Sequence, residues 1–339
     1  MLLKTYIEKC VEGNDLSVQE SADALEQIMT AQASDVQIAG LLIALRAKGE
    51  TEDELVGFAK TMREKAIGIT VEDPDAIDMC GTGGDRLGTF NISTVASLVV
   101  AGAGVTVAKH GNRSVSSRSG SADVLAALGV NIQIPPERVQ ECINAVGIGF
   151  LFAPLFHPAM KHAGKPRAEL GVRTIFNILG PLTNPARVRR QVIGVYGHDV
   201  ADTLAGALRK LSSEKACVVH GEEGMDEVTI AGDTAVREVK GSGPIESYTV
   251  TAASFGLEPG MAAAVKGGTA EENAAIARTI LERGMGPQRD VVVANAAMGL
   301  FVSGKAGNLK EAGRMAAESI DSGLAFKKLK QLVEFTNRP

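Results

Sequence analysis

At 339 residues, 45% hydrophobic and 22% charged, the chain has ordinary globular usage and exceeds one average domain, so a large domain with a smaller companion is expected. A formal net charge of −5 excludes a broad phosphate-neutralising surface, and nucleic acid is not an expected partner. The 38 glycines exceed the roughly 7% average and point to loops whose backbone lies close to a ligand.

Cys10, Cys80, Cys142 and Cys217 are far apart and form no CxxC pair. Neither a zinc site nor a disulfide framework is expected, and a cytoplasmic setting fits. The longest weakly polar run, 95–108, is shorter than the roughly 18 residues of a membrane span, so no membrane partner and no targeting segment are expected.

In chain order, residues 1–67 are helical throughout. Leu16-Ser17 opens an amphipathic stretch, and Ile38, Leu41, Leu42 and Leu45 recur at helical spacing. This predicts a small all-helical N-terminal domain over 1–70, with an α/β catalytic domain over 71–339 beginning where Val71-Glu72-Asp73-Pro74 changes the pattern. A short strand at 76–80 runs into a glycine loop and a helix from Ile92. Strand-like runs at 105–108, 147–152, 191–196 and 215–219 alternate with helical stretches, the signature of a mostly parallel central sheet. The proline-punctuated segment 158–185 is helical and could leave the sheet to pack back on the N-terminal helices. Residues 222–250 read as strands and turns. Several helices fill 270–335, one opening after Gly267-Gly268-Thr269 and one alanine-rich at 291–301.

Chemistry concentrates in four places. Gly81-Thr82-Gly83-Gly84-Asp85 stands at a strand end, where glycines admit positive φ and expose N–H groups to oxyanions. Thr89, Asn91, Ser93 and Thr94 follow at the start of a helix, whose amides and dipole favour an anion. A second strand-end stretch, Lys109-His110-Gly111-Asn112-Arg113-Ser114-Val115-Ser116-Ser117, offers charged and neutral donors in a flexible loop. Gly120-Ser121-Ala122-Asp123 then opens another helix. Together the two loops suit a ligand with several phosphates, although neither matches GxxxxGK[ST] nor GxGxxG.

Gly221-Glu222-Glu223-Gly224-Met225-Asp226-Glu227 is an acidic turn. Alone it would be solvated surface; beside phosphate loops it can hold magnesium. Finally, His157 and His162 could be a metal pair, but their spacing does not align them on one helical face, and structural histidines with satisfied hydrogen bonds are the better reading. Arg167 can clamp a carboxylate or serve as a surface residue.

The runs Asp78-Met79-Cys80-Gly81-Thr82-Gly83-Gly84-Asp85, Thr89-Phe90-Asn91-Ile92-Ser93-Thr94 and Ala108-Lys109-His110-Gly111-Asn112-Arg113-Ser114 closely resemble those of the anthranilate phosphoribosyltransferase family. Gly120-Ser121-Ala122-Asp123-Val124-Leu125, His157-Pro158-Ala159-Met160-Lys161-His162, Arg173-Thr174-Ile175-Phe176-Asn177 and Gly180-Pro181-Leu182 agree in order and spacing. The dense matches cover about residues 76–230.

The resemblance implies a nucleoside phosphorylase/phosphoribosyltransferase-like fold, a homodimer formed through the helices, magnesium as cofactor, and phosphoribosyl diphosphate and anthranilate as substrates in tryptophan biosynthesis. It implies a phosphoribosyl diphosphate site of Gly81, Gly84, Asp85, Thr89, Asn91, Ser93, Thr94, Lys109, His110, Gly111, Asn112, Arg113, Ser114, Val115, Ser116, Ser117 and Ser121. Ser93, Asp226 and Glu227 would hold the metal. Gly81, Asn112 and Arg167 would contact anthranilate, with His110 and Pro181 nearby. The chain departs from the family pattern at Gly164-Lys165-Pro166-Arg167-Ala168, where a proline would stand earlier and a basic residue at 168, and at Arg86 and Ala126. The alternatives are a pyrimidine nucleoside phosphorylase, which would need neither the acidic pair nor an acceptor arginine, and a non-catalytic sugar-phosphate sensor, in which the metal ligands would be eroded.

Overall fold

Ser17, Ser34 and Thr51 each stand one residue before a helix and accept a hydrogen bond from the amide three residues on, while Glu20, Gln37 and Glu54 reach back to the capping residue's own amide. These reciprocal caps fix three helix starts. In the computed structural model, which describes residues 2–85, 87–114 and 118–338, they open α2 (Val18–Met29), α3 (Asp35–Lys48) and α4 (Glu52–Lys65), following α1 (Leu3–Val11). Leu25, Ile28, Leu41, Leu42, Leu45 and Phe58 form the core of this bundle. At Gly57 a Cβ would lie 2.4 Å from the Val18 carbonyl oxygen, so α4 meets α2 backbone to backbone. Glu54 is fully buried, accepts from the Leu16 amide at 3.0 Å and pairs with Lys48 at 3.0 Å, so its charge is compensated.

The strands are β1 (Ile77–Gly81), β2 (Val107–Gly111), β3 (Ile148–Phe152), β4 (Arg190–Gly194), β5 (Lys215–Gly221), β6 (Thr234–Lys240) and β7 (Glu246–Val250). They form one sheet in the order β3-β2-β1-β4-β5-β6-β7. The first five are parallel, and β6 and β7 add antiparallel at one edge. From β1 the chain winds to β2 and β3 on one side, then returns to lay β4 on the other. The crevice outside the carboxyl ends of β1 and β4 is therefore a topological switch point, where open α/β sheets place their ligands.

The helices of this part are α5 (Ile92–Gly102), α6 (Ser121–Ala127), α7 (Pro136–Val146), α8 (Ala153–Phe156), α9 (Lys161–Leu170), α10 (Ile175–Leu179), α11 (His198–Lys210), α12 (Ala270–Leu281), α13 (Pro287–Val302), α14 (Leu309–Asp321) and α15 (Leu324–Asn337). Buried residues run along almost the whole of α5 because it lies between the sheet and α13, α14 and α15. On the other face, α11 packs against α4 and the sheet, α9 against α2 and α3, and α10 against α3 and α4. The core of the helical bundle thus continues through Ile175 and Leu179 to Ile193 and Val218 of the sheet. No helix among the described residues is long and apolar enough to cross a membrane.

One expectation needs correction. Lys109, His110 and Gly111 are not loop residues: β2 extends through Gly111, whose partner is Phe152, so all three lie on a strand between β1 and β3. Two consecutive polar residues, Lys109 and His110, hid the strand's length, because both are buried rather than exposed.

Candidate active site

Gly81 and Gly194 are paired at the carboxyl ends of β1 and β4, and the Thr82 amide donates to the Gly194 carbonyl at 2.8 Å. The Asp226-Glu227 turn crosses this edge. A Cβ on Gly194 would lie 1.6 Å from the Asp226 carbonyl oxygen, and one on Gly81 would lie 2.7 Å from Asp226 Oδ2. At Gly194 the contact is with backbone, so the turn sits there only over a bare Cα; at Gly81 a Cβ would press on the Asp226 carboxylate. The Gly83 N–H donates to Asp226 Oδ2 at 2.7 Å, and the Ser93 N–H, in the first turn of α5, donates to Glu227 Oε1 at 3.0 Å. From behind, Asn295 of α13 accepts from the Val228 amide and donates to its carbonyl, each at 2.9 Å. Gly83 and Gly84 have φ of 68° and 84°, the left-handed conformation that glycine adopts freely.

Three carboxyls meet here. Burial, then the Asp85 and Glu227 charges, hold Asp226 well above the usual carboxylate range. Burial pushes Glu227 up to about 7, opposed by its hydrogen bond from Ser93 and by the Lys109 charge. Asp85 Oδ2 is buried without a hydrogen-bond partner. Negative charge is therefore in excess, and a cation would be welcome. No cluster of three or more histidine, cysteine, aspartate or glutamate side chains among the described residues has metal-holding geometry. Two carboxylates and a hydroxyl suit magnesium in particular, which keeps open positions for water and phosphate oxygens rather than filling an all-protein cage.

The second stretch is folded around Asp123. Its Oδ1 accepts from Arg113 Nη1 at 2.7 Å, and its Oδ2 accepts from the Gly120 amide at 2.9 Å and the Ser114 amide at 3.2 Å. The Asn112 carbonyl accepts from the Ala122 amide at 3.2 Å and from Ser121 Oγ at 3.3 Å. Val115, Ser116, Ser117 and the Arg86 of the first loop lie outside the described residues. Lys109 is buried and donates to the Met79 carbonyl. Asn91 joins the parts: its amide donates to the Ser119 carbonyl at 3.2 Å, and its carbonyl oxygen accepts from Asn273 of α12 at 3.1 Å. Thr89 forms an isolated antiparallel bridge with Lys266, and Thr94 Oγ1 is buried without a partner.

Asp78 anchors the strands beneath, accepting from the His110 amide at 3.1 Å and from Asn184 at 2.8 Å. Gln191 donates to the Pro181 carbonyl at 2.8 Å, holding that loop over the sheet. His157 lies against His110, ring centroids 5.3 Å apart. It is buried with neither ring nitrogen hydrogen-bonded, so the expectation of a satisfied structural imidazole is corrected. Burial, with the other imidazole next, pushes His110 down to about 3, and burial pushes His157 down to about 4, so both rings are neutral at physiological pH. Arg167 lies on α9 with its guanidinium 4.9 Å from the Phe176 ring centroid, and among the described residues no carboxylate pairs with it. Its described contacts do not include Gly81 or Asn112. His162 stands outside this imidazole pair.

Gly194, Asn295, Asp78 and Asn184 escaped the sequence reading. Asp78 left a signal, an acid inside a strand of apolar residues. Gly194 and Asn295 left none, because each acts on a segment distant in the chain.

A glycine loop, a helix start and an acidic pair at a switch point are the features of an α/β enzyme that binds an anionic ligand at the strand ends. The model of the glycosyl transferase family a/b domain matches residues 73–326, and that of the family's helical bundle domain matches residues 4–66. The anthranilate phosphoribosyltransferase of Pelotomaculum thermopropionicum is 53% identical over 335 residues, 99% of this chain and 97% of the relative. That of Moorella thermoacetica is 52% identical over 332 residues, 98% of each. Among solved structures, anthranilate phosphoribosyltransferase from Thermus thermophilus superposes with a TM-score of 0.93 at 44% identity, covering 98% of this chain and 99% of that one. The Saccharomyces cerevisiae enzyme in complex with phosphoribosyl diphosphate and magnesium gives a TM-score of 0.91 at 29% identity, covering 98% and 97%. The chain belongs to the anthranilate phosphoribosyltransferase family.

Proposed function

We infer that the loop after β1, the start of α5 and the Asp226-Glu227 turn form the site at which this chain takes phosphoribosyl diphosphate and passes its phosphoribosyl group to the anthranilate amine, releasing diphosphate. The observation that carries the assignment is the pair of hydrogen bonds from Gly83 to Asp226 and from Ser93 to Glu227. They join the two anion-binding backbone elements to the acidic turn. Titrating phosphoribosyl diphosphate into the protein with anthranilate and magnesium, and following the loss of anthranilate fluorescence, tests it. No loss, or release of a free base when the protein is instead given a nucleoside and phosphate, would replace this reading with another.

Ser93, Asp226 and Glu227 would hold magnesium, which when bound supplies charge neutralisation at the phosphate oxygens. The residues of the chain account for the rest. Amides of the first loop and the positive end of α5 favour the anionic end of the sugar. The 109–121 stretch, drawn together by Asp123, would face its other phosphate. As the C1–N bond forms, the C1–O bond breaks, diphosphate leaves with the electron pair, and the amine proton passes to solvent. A neutral aromatic amine is already a nucleophile, so positioning and charge stabilisation suffice and no general base is assigned. Neutral His110 and Pro181 would border the acceptor without adding charge.

Arg167, free of any carboxylate partner among the described residues, would receive the acceptor carboxylate. Arg167→Ala is expected to raise the anthranilate KM by about tenfold to a hundredfold, the loss of a charge-assisted hydrogen bond, with the phosphoribosyl diphosphate KM within about twofold. Steady-state kinetics with each substrate varied separately decides this, and equal increases in both would remove Arg167 from the acceptor site.

The proposed role lies in tryptophan biosynthesis, with a helical domain over 1–70 and an α/β domain over 71–339. A homodimer through the helices is supported by an apolar groove of about 710 Å³ lined by Val11, Val36, Ala39, Ile43 and Leu170. Val11 is 72% and Val36 81% exposed in the single chain, which is the kind of surface a second subunit covers.

A further inference from the structure

Arg173 stands between α9 and α10, three residues beyond the end of one and two before the other. Its guanidinium carbon lies 4.0 Å from the ring centroid of Tyr196, just past the end of β4. The same side chain runs along the first loop: a Cβ on Gly84 would lie 3.5 Å from Arg173 Cδ and 3.7 Å from its Nη1. The contact with the tyrosine ring restrains the guanidinium by a cation–π interaction, and the side chain lies in van der Waals reach of the Gly84 backbone.

Charge makes this placement informative. Lys109 is turned inward to the Met79 carbonyl, and Arg113 is engaged by Asp123. Asp85, Asp226 and Glu227 contribute negative charge on the acidic side. Arg173 is partly buried, and among the described residues no carboxylate pairs with it. A cation held against an aromatic ring, beside an anion-binding loop and without a carboxylate partner among the described residues, is arranged for a partner that arrives with the substrate.

We propose that Arg173 binds the departing diphosphate from the Gly84 side. This rests on the reading of the site given above. The Arg173 N–H groups donate to oxygens whose negative charge grows as the C1–O bond breaks. Tyr196 is then a positioning residue, acting through the guanidinium it supports.

Arg173→Gln keeps much of the length and removes the charge. It is expected to lower kcat/KM for phosphoribosyl diphosphate about a hundredfold, in the range of a lost transition-state donor, and to weaken inhibition by magnesium pyrophosphate by a similar factor. The anthranilate KM should stay within about twofold. Arg173→Lys, which keeps the charge and loses the planar fork, should recover activity to within about tenfold of the wild type, and it serves as the readout if the glutamine variant does not fold. Unchanged pyrophosphate inhibition in Arg173→Gln, a lysine variant no more active than the glutamine variant, or an anthranilate KM that rises as much as that of the diphosphate, would overturn the assignment. The wild-type control separates the two levels: a wild type that turns over alongside an unimpaired Arg173→Gln defeats this inference alone, whereas a wild type that consumes no anthranilate defeats the functional reading and this inference with it.

Discussion

Replacing Asp226 and Glu227 together by Asn and Gln lowers phosphoribosyl transfer by about a thousandfold, ~4 kcal/mol of transition-state stabilisation, and flattens the dependence of rate on magnesium. The amides keep an oxygen for the Gly83 and Ser93 N–H groups, so the turn keeps its hydrogen bonds. They also remove like charges that burial and mutual repulsion disfavour. The variant's melting temperature in metal-free buffer should therefore equal or exceed that of the wild type, because a buried charge without a counter-ion costs stability. Rates measured against magnesium, with a melting curve on the same sample, separate loss of metal binding from loss of fold. A magnesium dependence identical to that of the wild type would remove this pair from the metal site.

Gly194→Ala tests the scaffold instead of the ligands. The added methyl would meet the Asp226 carbonyl oxygen at 1.6 Å and its carbon at 2.5 Å, and both belong to the backbone, which cannot rotate away as a side chain could. The turn must shift by more than an ångström or β4 must distort. Overpacking of this kind costs about 1–3 kcal/mol of stability, and a displacement of that size at a reacting centre costs about a hundredfold in rate. The expected outcome is a folded protein with a lowered melting temperature, kcat reduced by about a hundredfold and a weakened response to magnesium. Gly232→Ala, where nothing lies within 4 Å of the added carbon, is the matched control and should leave all three unchanged. Wild-type kinetics in Gly194→Ala would mean that the turn has another way to reach the site.

These two experiments divide what the chain states locally from what only its folding reveals. The first loop, the start of α5 and the acidic pair were legible because each is a short run of residue types with its own chemistry, and the change of pattern at 71–74 with a strand at 76–80 marked the sheet's beginning within a residue of Ile77. The caps that set the starts of the N-terminal helices emerge in the structure, while the helices themselves were legible from the spacing of Ile38, Leu41, Leu42 and Leu45. Gly194 was not, because its need for a bare Cα arises from a segment more than thirty residues later. Asn295 was read as one more position in an alanine-rich helix, although its amide holds the residue after the acidic pair. Arg173 belonged to a recognised run, but its relation to Tyr196 and Gly84 exists only once α9 and α10 have left the sheet and returned. The extent of β2 was misjudged where burial of Lys109 and His110 overrode their polar character, a tertiary effect that periodicity cannot register.

Backbone amides after β1 and at the start of α5, together with the carboxylates of the 226–227 turn, would hold one ligand jointly. Calorimetric titration of phosphoribosyl diphosphate into the wild type and the Asp226→Asn/Glu227→Gln variant, with magnesium present and with it chelated, measures this without relying on turnover. The account predicts binding that needs magnesium in the wild type and heat that nearly vanishes in the variant. Equal affinity in all four titrations would contradict it.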